Sequence, residues 1–447
     1  MGANLIFITI DCLRADHLSC LGYSKTTTPN LDRLAGTGLL YRQAIAVGPN
    51  TYTSFIAIHT STYPLMHGGN LYITDSRCTL AQVLRESGYH TAAFNSNPWL
   101  SSYYNYDRGF GIFDDGIQKW QNAQRARAII EHRKRLGRLL SPVAHLYKMI
   151  AAGSLYKNLF STAQIINEKA LSWLRTSGSP FFIWLHYMDA HEPYLPIPGA
   201  SIMRSHQLME LDKKARSVPE SLSAQEIEYL IRTYDTKIAF VDVMIGALLR
   251  SLGQSGHMEN TYVVVSADHG QQFLEHGKYA HNGNWVYDEL IRVPLIIVGP
   301  GIAASIVDRQ VSQIDLAPTI LDLLGLNKPE SFVGHSLLGS VNRMEAIIEA
   351  DTRVADRDML QSRPRMNTSN KRVGMRTEGW KYIYTQNQGV ELYELEHDRG
   401  EKANVRDSQP RVIERFVEKL NFHLEFEQSC NKRDEEDSIR KRVKRFT

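Results

Sequence analysis

The sequence predicts an α/β fold: a large, mostly parallel sheet sandwiched by helices, followed by a smaller C-terminal subdomain with a short antiparallel sheet. Three observations predict it. Short, continuous apolar runs alternate with helix-period segments along most of the chain, as expected for strands buried on both faces. Two of those runs stop abruptly at an aspartate, the way strands deliver side chains to the carboxyl edge of a parallel sheet. Near Lys371 the texture changes to short polar-alternating segments typical of antiparallel strands.

The elements follow in order. Asn4–Ile10 reads as a buried strand ending at Asp11, and Pro29–Gly36 as a helix. Thr91–Phe94 is a short strand, Ser161–Ser177 a helix and Pro180–His186 a strong strand. A long helix is expected over Ala224–Ser251. It is followed by the strand Thr261–Ser266, which leads into Ala267 and Asp268, and by the strand Val293–Val298, which closes on Gly299-Pro300-Gly301. Leu316–Leu324 is a further helix. Met375–Glu378, Trp380–Tyr384 and Glu391–Leu395 are the small antiparallel strands, with a terminal helix from about Arg411. The expected division is a catalytic α/β domain over 1–345, a C-terminal subdomain over 346–425 and a charged, solvated tail over 426–447. No internal repeat is present.

A chain of 447 residues exceeds the usual single-core limit, which supports the second unit. Hydrophobic residues make up 43% and charged residues 22%, which excludes a disordered, collagen-like or coiled-coil chain. Cys12, Cys20, Cys78 and Cys430 are too few and scattered for a disulfide framework or a zinc cluster. No span approaches the roughly 18 consecutive apolar residues of a membrane helix. The N-terminal run fits a strand better than a signal peptide, so cytoplasmic localisation is expected. The net charge of +3 hides segregation. A basic helical insertion is expected over 118–160. Its stretch Gln118–Lys148 holds eight basic residues against one acidic, and Asn431–Thr447 holds seven against four. The remainder is acidic, so no nucleic-acid partner is expected and an anionic ligand must find its positive charge locally. The insertion reads either as a solvated flank or as a docking surface for an anionic polymer or membrane.

Chemistry concentrates where strands end. Asp11-Cys12 follows one strand and Asp268-His269 another, and two carboxylates with an imidazole on one sheet edge suit a divalent cation. The alternative is that each aspartate caps the helix after it. Pro49-Asn50-Thr51 leads into an apolar helical run. Thr51 therefore stands at a helix N-terminus, as a plain N-cap or as a nucleophile activated by a neighbouring metal. His186 and His191 follow the strong central strand and suit an anionic substrate or a leaving-group proton, or else are buried structural histidines. Lys278 and His281, past the Asp268 loop, face the same site or belong to a solvated loop.

These residues resemble the sulfatase family of the alkaline phosphatase superfamily. The likeness is carried by Asn4–Tyr23, Thr51–Pro64, Phe182–Tyr194 (FIWLHYMDAHEPY), Val263–Gly270 with Glu275–Gly301, Ile314–Leu326 and Arg376–Val405, in the family's order. The resemblance implies a metal held by Asp11, Asp268 and His269, a nucleophile at Thr51, a substrate- or leaving-group-contacting His191, and His281 where the family places a Lys or His. Three departures stand out. The Cys/Ser-x-Pro-x-Arg nucleophile motif reads Thr51-Tyr52-Thr53-Ser54-Phe55, so no formylglycine is expected. The second aspartate of the family's pair is Cys12, which tilts the metal towards Mn²⁺ or Zn²⁺ with Ca²⁺ and Mg²⁺ still open. The family's Gly-Lys-Trp-His segment is Asn95-Ser96-Asn97-Pro98, leaving Asn97 as a possible substrate contact.

The expected function is a metal-dependent hydrolase, using one divalent ion to cleave a sulfate ester or an isosteric phosphate ester through a covalent Thr51 intermediate. The substrate is expected to be a small or carbohydrate-like anionic ester, and an oligomer is left open. The alternatives are a phosphodiesterase or phospho-substituent transferase using Thr51, and a non-catalytic binding protein on a degenerate sulfatase scaffold.

Overall fold

The fold is that of a computed structural model that describes residues 2–116, 161–194, 205–281, 285–339, 344–351, 365–366 and 370–443. Eight strands form the main sheet, in the order β10-β2-β9-β6-β1-β5-β3-β4. They are β1 (Asn4–Ile10), β2 (Leu39–Ile45), β3 (His90–Phe94), β4 (Ile112–Asp114), β5 (Phe181–Tyr187), β6 (Thr261–Ala267), β9 (Arg292–Val298) and β10 (Ser305–Ser312). Only β9 runs against its neighbours β2 and β6; every other pairing is parallel. β1 and β5 are buried along their whole lengths. The helices over the sheet remove both faces from water, so side chains on both faces of the central strands are apolar. The long helix Ala224–Gln254 opens with a capping box, Ser223 and Glu226 each satisfying the other's backbone N–H.

The C-terminal unit is a four-stranded antiparallel sheet, β11 (Ala346–Asp351), β12 (Lys371–Arg376), β13 (Trp380–Thr385) and β14 (Gly389–Glu394), in sequence order. The sequence reading missed β2, β4, β10 and β11, whose polar positions interrupt the apolar pattern. A two-stranded hairpin, β7 (Gln272–Phe273) and β8 (Tyr279–Ala280), follows the Asp268 loop. The stretch expected as a charged tail from 426 is a correction: the terminal helix runs unbroken from Pro410 to Val443. Gly68 N–H donates to Asn431 Oδ1 at 2.7 Å, and His67 Nδ1 lies 2.6 Å from Asp434 Oδ2, so this face of the helix is docked. The basic segment Gln118–Lys148 lies outside the described residues. Among the described residues, no helix is long and apolar enough to cross a membrane.

The two units are joined by buried charge. Asp288 accepts from Arg376 at 2.9 Å and from Lys381 at 3.0 Å, and Lys381 also meets Glu401 at 2.9 Å. Lys381 is fully buried. Burial pushes the Asp288 carboxyl up, but Arg376 and Lys381 more than reverse this and hold it well below the ordinary range. A carboxyl depressed on folding adds stability that is in place above its unfolded pKa of about 3.9 and is lost as pH falls through the folded value. Asp288→Asn is therefore expected to cost about 3 kcal/mol at neutral pH by leaving buried cations without their carboxylate. Denaturant titrations at several pH values check this: the deficit against the parent protein should shrink in acid.

Candidate active site

The parallel neighbours β5, β1 and β6 end side by side, and their carboxyl ends carry the site. Asp11 N–H donates to Tyr187 O at 2.9 Å, which fixes the first residue after β1 against the end of β5. A buried relay orients the Asp11 carboxylate. Trp184 Nε1 donates to Thr9 Oγ1 at 2.9 Å, Thr9 Oγ1 lies 2.9 Å from His186 Nδ1, and His186 Nε2 lies 3.3 Å from Asp11 Oδ2. The Asp11 carboxylate accepts from the His186 Nε2–H, and the Thr9 hydroxyl also reaches Leu185 O at 3.4 Å. His186 is thus fully buried behind Asp11, which corrects the expectation of a substrate contact. Asn97 is similarly placed: its Nδ2 donates to Asp11 Oδ2 at 2.8 Å and lies 3.5 Å from Thr51 Oγ1.

Thr51 is the first residue of the buried helix Thr51–Thr60. The cap is Asn50, whose Oδ1 accepts from Thr53 N–H at 3.1 Å, so Thr51 Oγ1 is not used as a cap. Thr51 Oγ1 stands 3.5 Å from both Asp11 Oδ2 and His269 Nε2, at the positive end of the helix dipole.

Asp268 and His269 arrive from β6. Asp268 Oδ1 accepts from Cys12 N–H at 3.2 Å and His269 N–H at 2.9 Å, whereas its Oδ2 is buried and has no hydrogen-bond partner. His269 Nδ1 donates to Gly270 O at 2.8 Å, which fixes the tautomer and leaves Nε2 as an electron-pair donor, 3.5 Å from Asp268 Oδ2 and 3.8 Å from Asp11 Oδ1. Gly270 is required by space, because a Cβ there would lie 2.1 Å from Glu289 O. Cys12 adopts a left-handed φ of 60° that brings Sγ 3.0 Å from Asp11 Oδ1. The Asp11, Cys12 and His269 donor atoms lie within 4.8 Å of one another. Two fully buried carboxylates, an orphaned carboxylate oxygen and an imidazole presenting a lone pair fit a divalent cation.

Charge balance follows that pattern. Burial raises the Asp11 carboxyl, but His191, the His186 hydrogen bond and His269 override it and hold the group well below its ordinary value. Asp268 is raised, by burial and by the Asp11 charge. The Cys12 thiol is pushed far up by burial and by Asp11, and so donates S–H to Asp11.

A second ring carries protonation. Burial lowers His191, but Glu192, Asp11 and the Glu192 carbonyl that accepts from its Nδ1 raise it above its usual value. His281 is depressed to about 3, by burial and then by His269 and His191, and is neutral. Its Nδ1 lies 3.3 Å from Gln271 Oε1 and 3.7 Å from Cys12 Sγ. Glu192 is buried, receives Arg216 at 2.7 Å and Gln271 Nε2 at 2.9 Å, and is held well below the carboxylate range by His191 and Arg216 against burial.

Asp11, Cys12, Thr51, Asn97, His191, Asp268, His269 and His281 therefore converge. Lys278 does not: it is exposed at the turn of the β7–β8 hairpin, where its carbonyl accepts from Leu274 N–H. Glu192, Gln271 and Arg216 were missed. The first two sit directly beside His191 and after Asp268-His269-Gly270, so adjacency was the available signal. Arg216 lies on the helix Ser205–Ser217 and carries none.

A parallel sheet with a buried hydroxyl, carboxylates and imidazoles at its carboxyl edge is the arrangement of the alkaline phosphatase superfamily. Residues 3–326 match the family model Sulfatase, and the chain belongs to the sulfatase family. Residues 274–428 match N-sulphoglucosamine sulphohydrolase, C-terminal. The chain is 27% identical to arylsulfatase K of Bos taurus over 295 residues, 58% of this chain and 54% of that protein, so it spans about half the length of that relative. Its fold is similar to the phosphonate monoester hydrolase of Agrobacterium radiobacter, with TM-score 0.72, 19% identity and coverage of 97% and 96%. It also resembles a protein solved with its substrate D-glucosamine-2-N,6-O-disulfate, with TM-score 0.69, 19% identity and coverage of 97% and 100%.

Because the Gly270 position has no room for a methyl group, Gly270→Ala is expected to destabilise the protein by about 2 kcal/mol and to displace His269. Denaturant titration, together with the His269 ring resonances in NMR spectra, reads both effects.

Proposed function

We propose that this protein is a metal-dependent hydrolase that cleaves a sulfate ester or an isosteric phosphate ester through a covalent intermediate on Thr51. The observation that carries this reading is the approach of Thr51 Oγ1 to 3.5 Å from Asp11 and His269, beside the unpartnered Asp268 Oδ2. Asp11, Asp268 and His269, with Cys12 and Thr51 alongside, would hold a divalent cation, which would supply positive charge against the ester oxygens and lower the pKa of a hydroxyl beside it.

Thr51, its hydroxyl proton lost to solvent, attacks the sulfur or phosphorus in line through Oγ as the bond to the leaving oxygen breaks. His191, whose pKa is raised by Glu192 and Asp11, gives the leaving oxygen its proton; His281, neutral, accepts or orients through its ring nitrogens. Water then enters and gives a proton back to His191 as its oxygen bonds to the sulfur or phosphorus; the bond to Thr51 Oγ breaks, Oγ takes up a proton from solvent, and the anion is released. Asn97 holds both Asp11 and Thr51 in register for these steps.

A threonine nucleophile favours phosphoryl over sulfuryl transfer, because a threonine sulfate is the harder ester to hydrolyse. The structural likeness to a phosphonate monoester hydrolase agrees with that preference, and the likeness to a protein bound to a sulfated glucosamine supports a carbohydrate-like organic part.

The test is a panel of nitrophenyl sulfate, phosphate, phosphodiester and phosphonate esters assayed with Mn²⁺, Zn²⁺, Ca²⁺ and Mg²⁺, with and without alcohol acceptors. Thr51→Ala is expected to lose roughly 10³-fold or more of the turnover of the best ester. Mass spectrometry of the Thr51 peptide should find unmodified threonine. Undiminished Thr51→Ala activity on every ester sinks the mechanism, and a product appearing only with an alcohol moves the reading to a transferase. Absence of turnover together with absence of bound metal moves it to a binding protein.

A further inference from the structure

A second buried cluster lies away from the catalytic edge and takes no part in the mechanism above. His423 and Glu427 stand one turn apart on the terminal helix Pro410–Val443 and share one face of it. Both point at Glu349 of β11. His423 Nε2 lies 2.7 Å from Glu349 Oε1 and 3.2 Å from Glu427 Oε1, and the three donor atoms fall within 4.8 Å of one another. The residues are 4%, 0% and 3% exposed, so water does not screen them.

Hydrogen bonding does not complete this cluster. The single Nε2–H is directed to Glu349, and Glu427 Oε1 remains buried without a hydrogen-bond partner. Two carboxylates in a dry site repel unless a proton or a cation stands between them, and a bound cation would take the place of the proton. The other Glu349 oxygen, Oε2, accepts from Leu65 N–H at 2.7 Å, which orients the carboxylate as an outer partner orients a metal ligand. The His423 and Tyr63 rings meet edge to face, with centroids 4.7 Å apart, and this contact helps to hold the imidazole plane. Ligands at roughly 2.0–2.2 Å from an ion stand about 3 Å from one another, close to the separations seen here.

We propose that Glu349, His423 and Glu427 form a second divalent-cation site, one that takes Zn²⁺ or Mn²⁺ and fastens the C-terminal helix to β11, whose Glu349 in turn holds Leu65. One imidazole and two carboxylates suit a borderline cation, and its two positive charges balance the two carboxylates. The ligands come from a strand and a helix of the C-terminal unit, while Leu65 and Tyr63 come from the segment that leaves the helix Thr51–Thr60. The ion would therefore tie parts of the chain that are distant in sequence and would act on stability rather than on the reaction.

The full chain is stripped with a chelator, reloaded separately with Zn²⁺ and Mn²⁺, and its metal content and melting temperature are measured. The parent protein is expected to hold two ions per chain and to melt several degrees higher when loaded. Glu427→Gln, which keeps size and hydrogen-bonding capacity, should lose one ion and most of that rise while retaining ester hydrolysis. Asp268→Asn should lose the other ion and the hydrolysis. Should Glu427→Gln fail to fold by circular dichroism, Glu427→Asp makes the same comparison with the charge kept and the reach shortened. The proposal is overturned if the folded variant binds as many ions as the parent and shows the same metal-dependent rise. It is equally overturned if the parent binds a single ion that Asp268→Asn removes. Loss of the catalytic ion alone leaves this site standing, so the two readings fail separately.

Discussion

The repulsion between the buried carboxylates of Asp11 and Asp268 is the constraint around which the catalytic half is arranged. Neither side chain reaches water, and the effective cost of burying an ionised carboxylate amounts to several kcal/mol. The fold answers with donors from every side. Cys12 and His269 give Asp268 Oδ1 their backbone N–H groups, Asn97 and His186 meet Asp11 Oδ2, and His191 lowers the Asp11 carboxyl further. One oxygen, Asp268 Oδ2, is left over. A cation placed there would remove a repulsion that further hydrogen bonds relieve only in part.

Imidazoles do at this edge what lysines do at many anion sites, and that changes the electrostatics. The nearby arginines are committed elsewhere: Arg14 to Asp16 and Glu275, Arg216 to Glu192 and Asp212. The groups that act on Asp11 are His191, His186 and His269, and the charge on an imidazole depends on its surroundings. The surroundings separate two rings whose centroids are 5.2 Å apart, raising His191 beside Glu192 and depressing His281 to about 3 between two other imidazoles. Pairs of titratable groups driven in opposite directions are what acid and base roles require.

Much of this was legible in the sequence wherever one residue type at one place has a single physical reading. Asn4–Ile10 is recovered with its bounds intact, because an uninterrupted apolar run flanked by an aspartate has few alternatives. The convergence of Asp11 with Asp268 follows from strand ends sharing one edge of a parallel sheet. What was not legible depends on direction rather than position. His186 and His191 are five residues apart near the end of one strand, yet the first turns inward behind Asp11 and the second joins the proton-bearing ring. Lys278 has the right charge for an anion and lies three residues before His281, but the hairpin turn carries it into solvent. Arg216 reaches Glu192 only because a helix from elsewhere lies across the site, which no local pattern encodes.

The terminal helix makes the same point about averaged charge. Read as composition, the residues beyond 426 look like a solvated tail. Read as a helix, His423, Glu427, Asn431 and Asp434 recur at three- and four-residue intervals and form one stripe. That stripe meets Glu349 and the segment from Leu65 to Gly68, with Asn431 Nδ2 donating to Leu65 O at 3.3 Å and Asp434 pairing with His67. The same segment follows directly from the helix that starts at Thr51. The helix that starts at Thr51 is therefore held at its N-terminus by Asn50 and Asn97, and the segment beyond its C-terminus rests against a helix more than 350 residues away in the chain. Asn431 and Asp434 thus restrain that segment at a point the main sheet does not reach, while the helix N-terminus that sets Thr51 Oγ1 3.5 Å from Asp11 and His269 is held by its own cap.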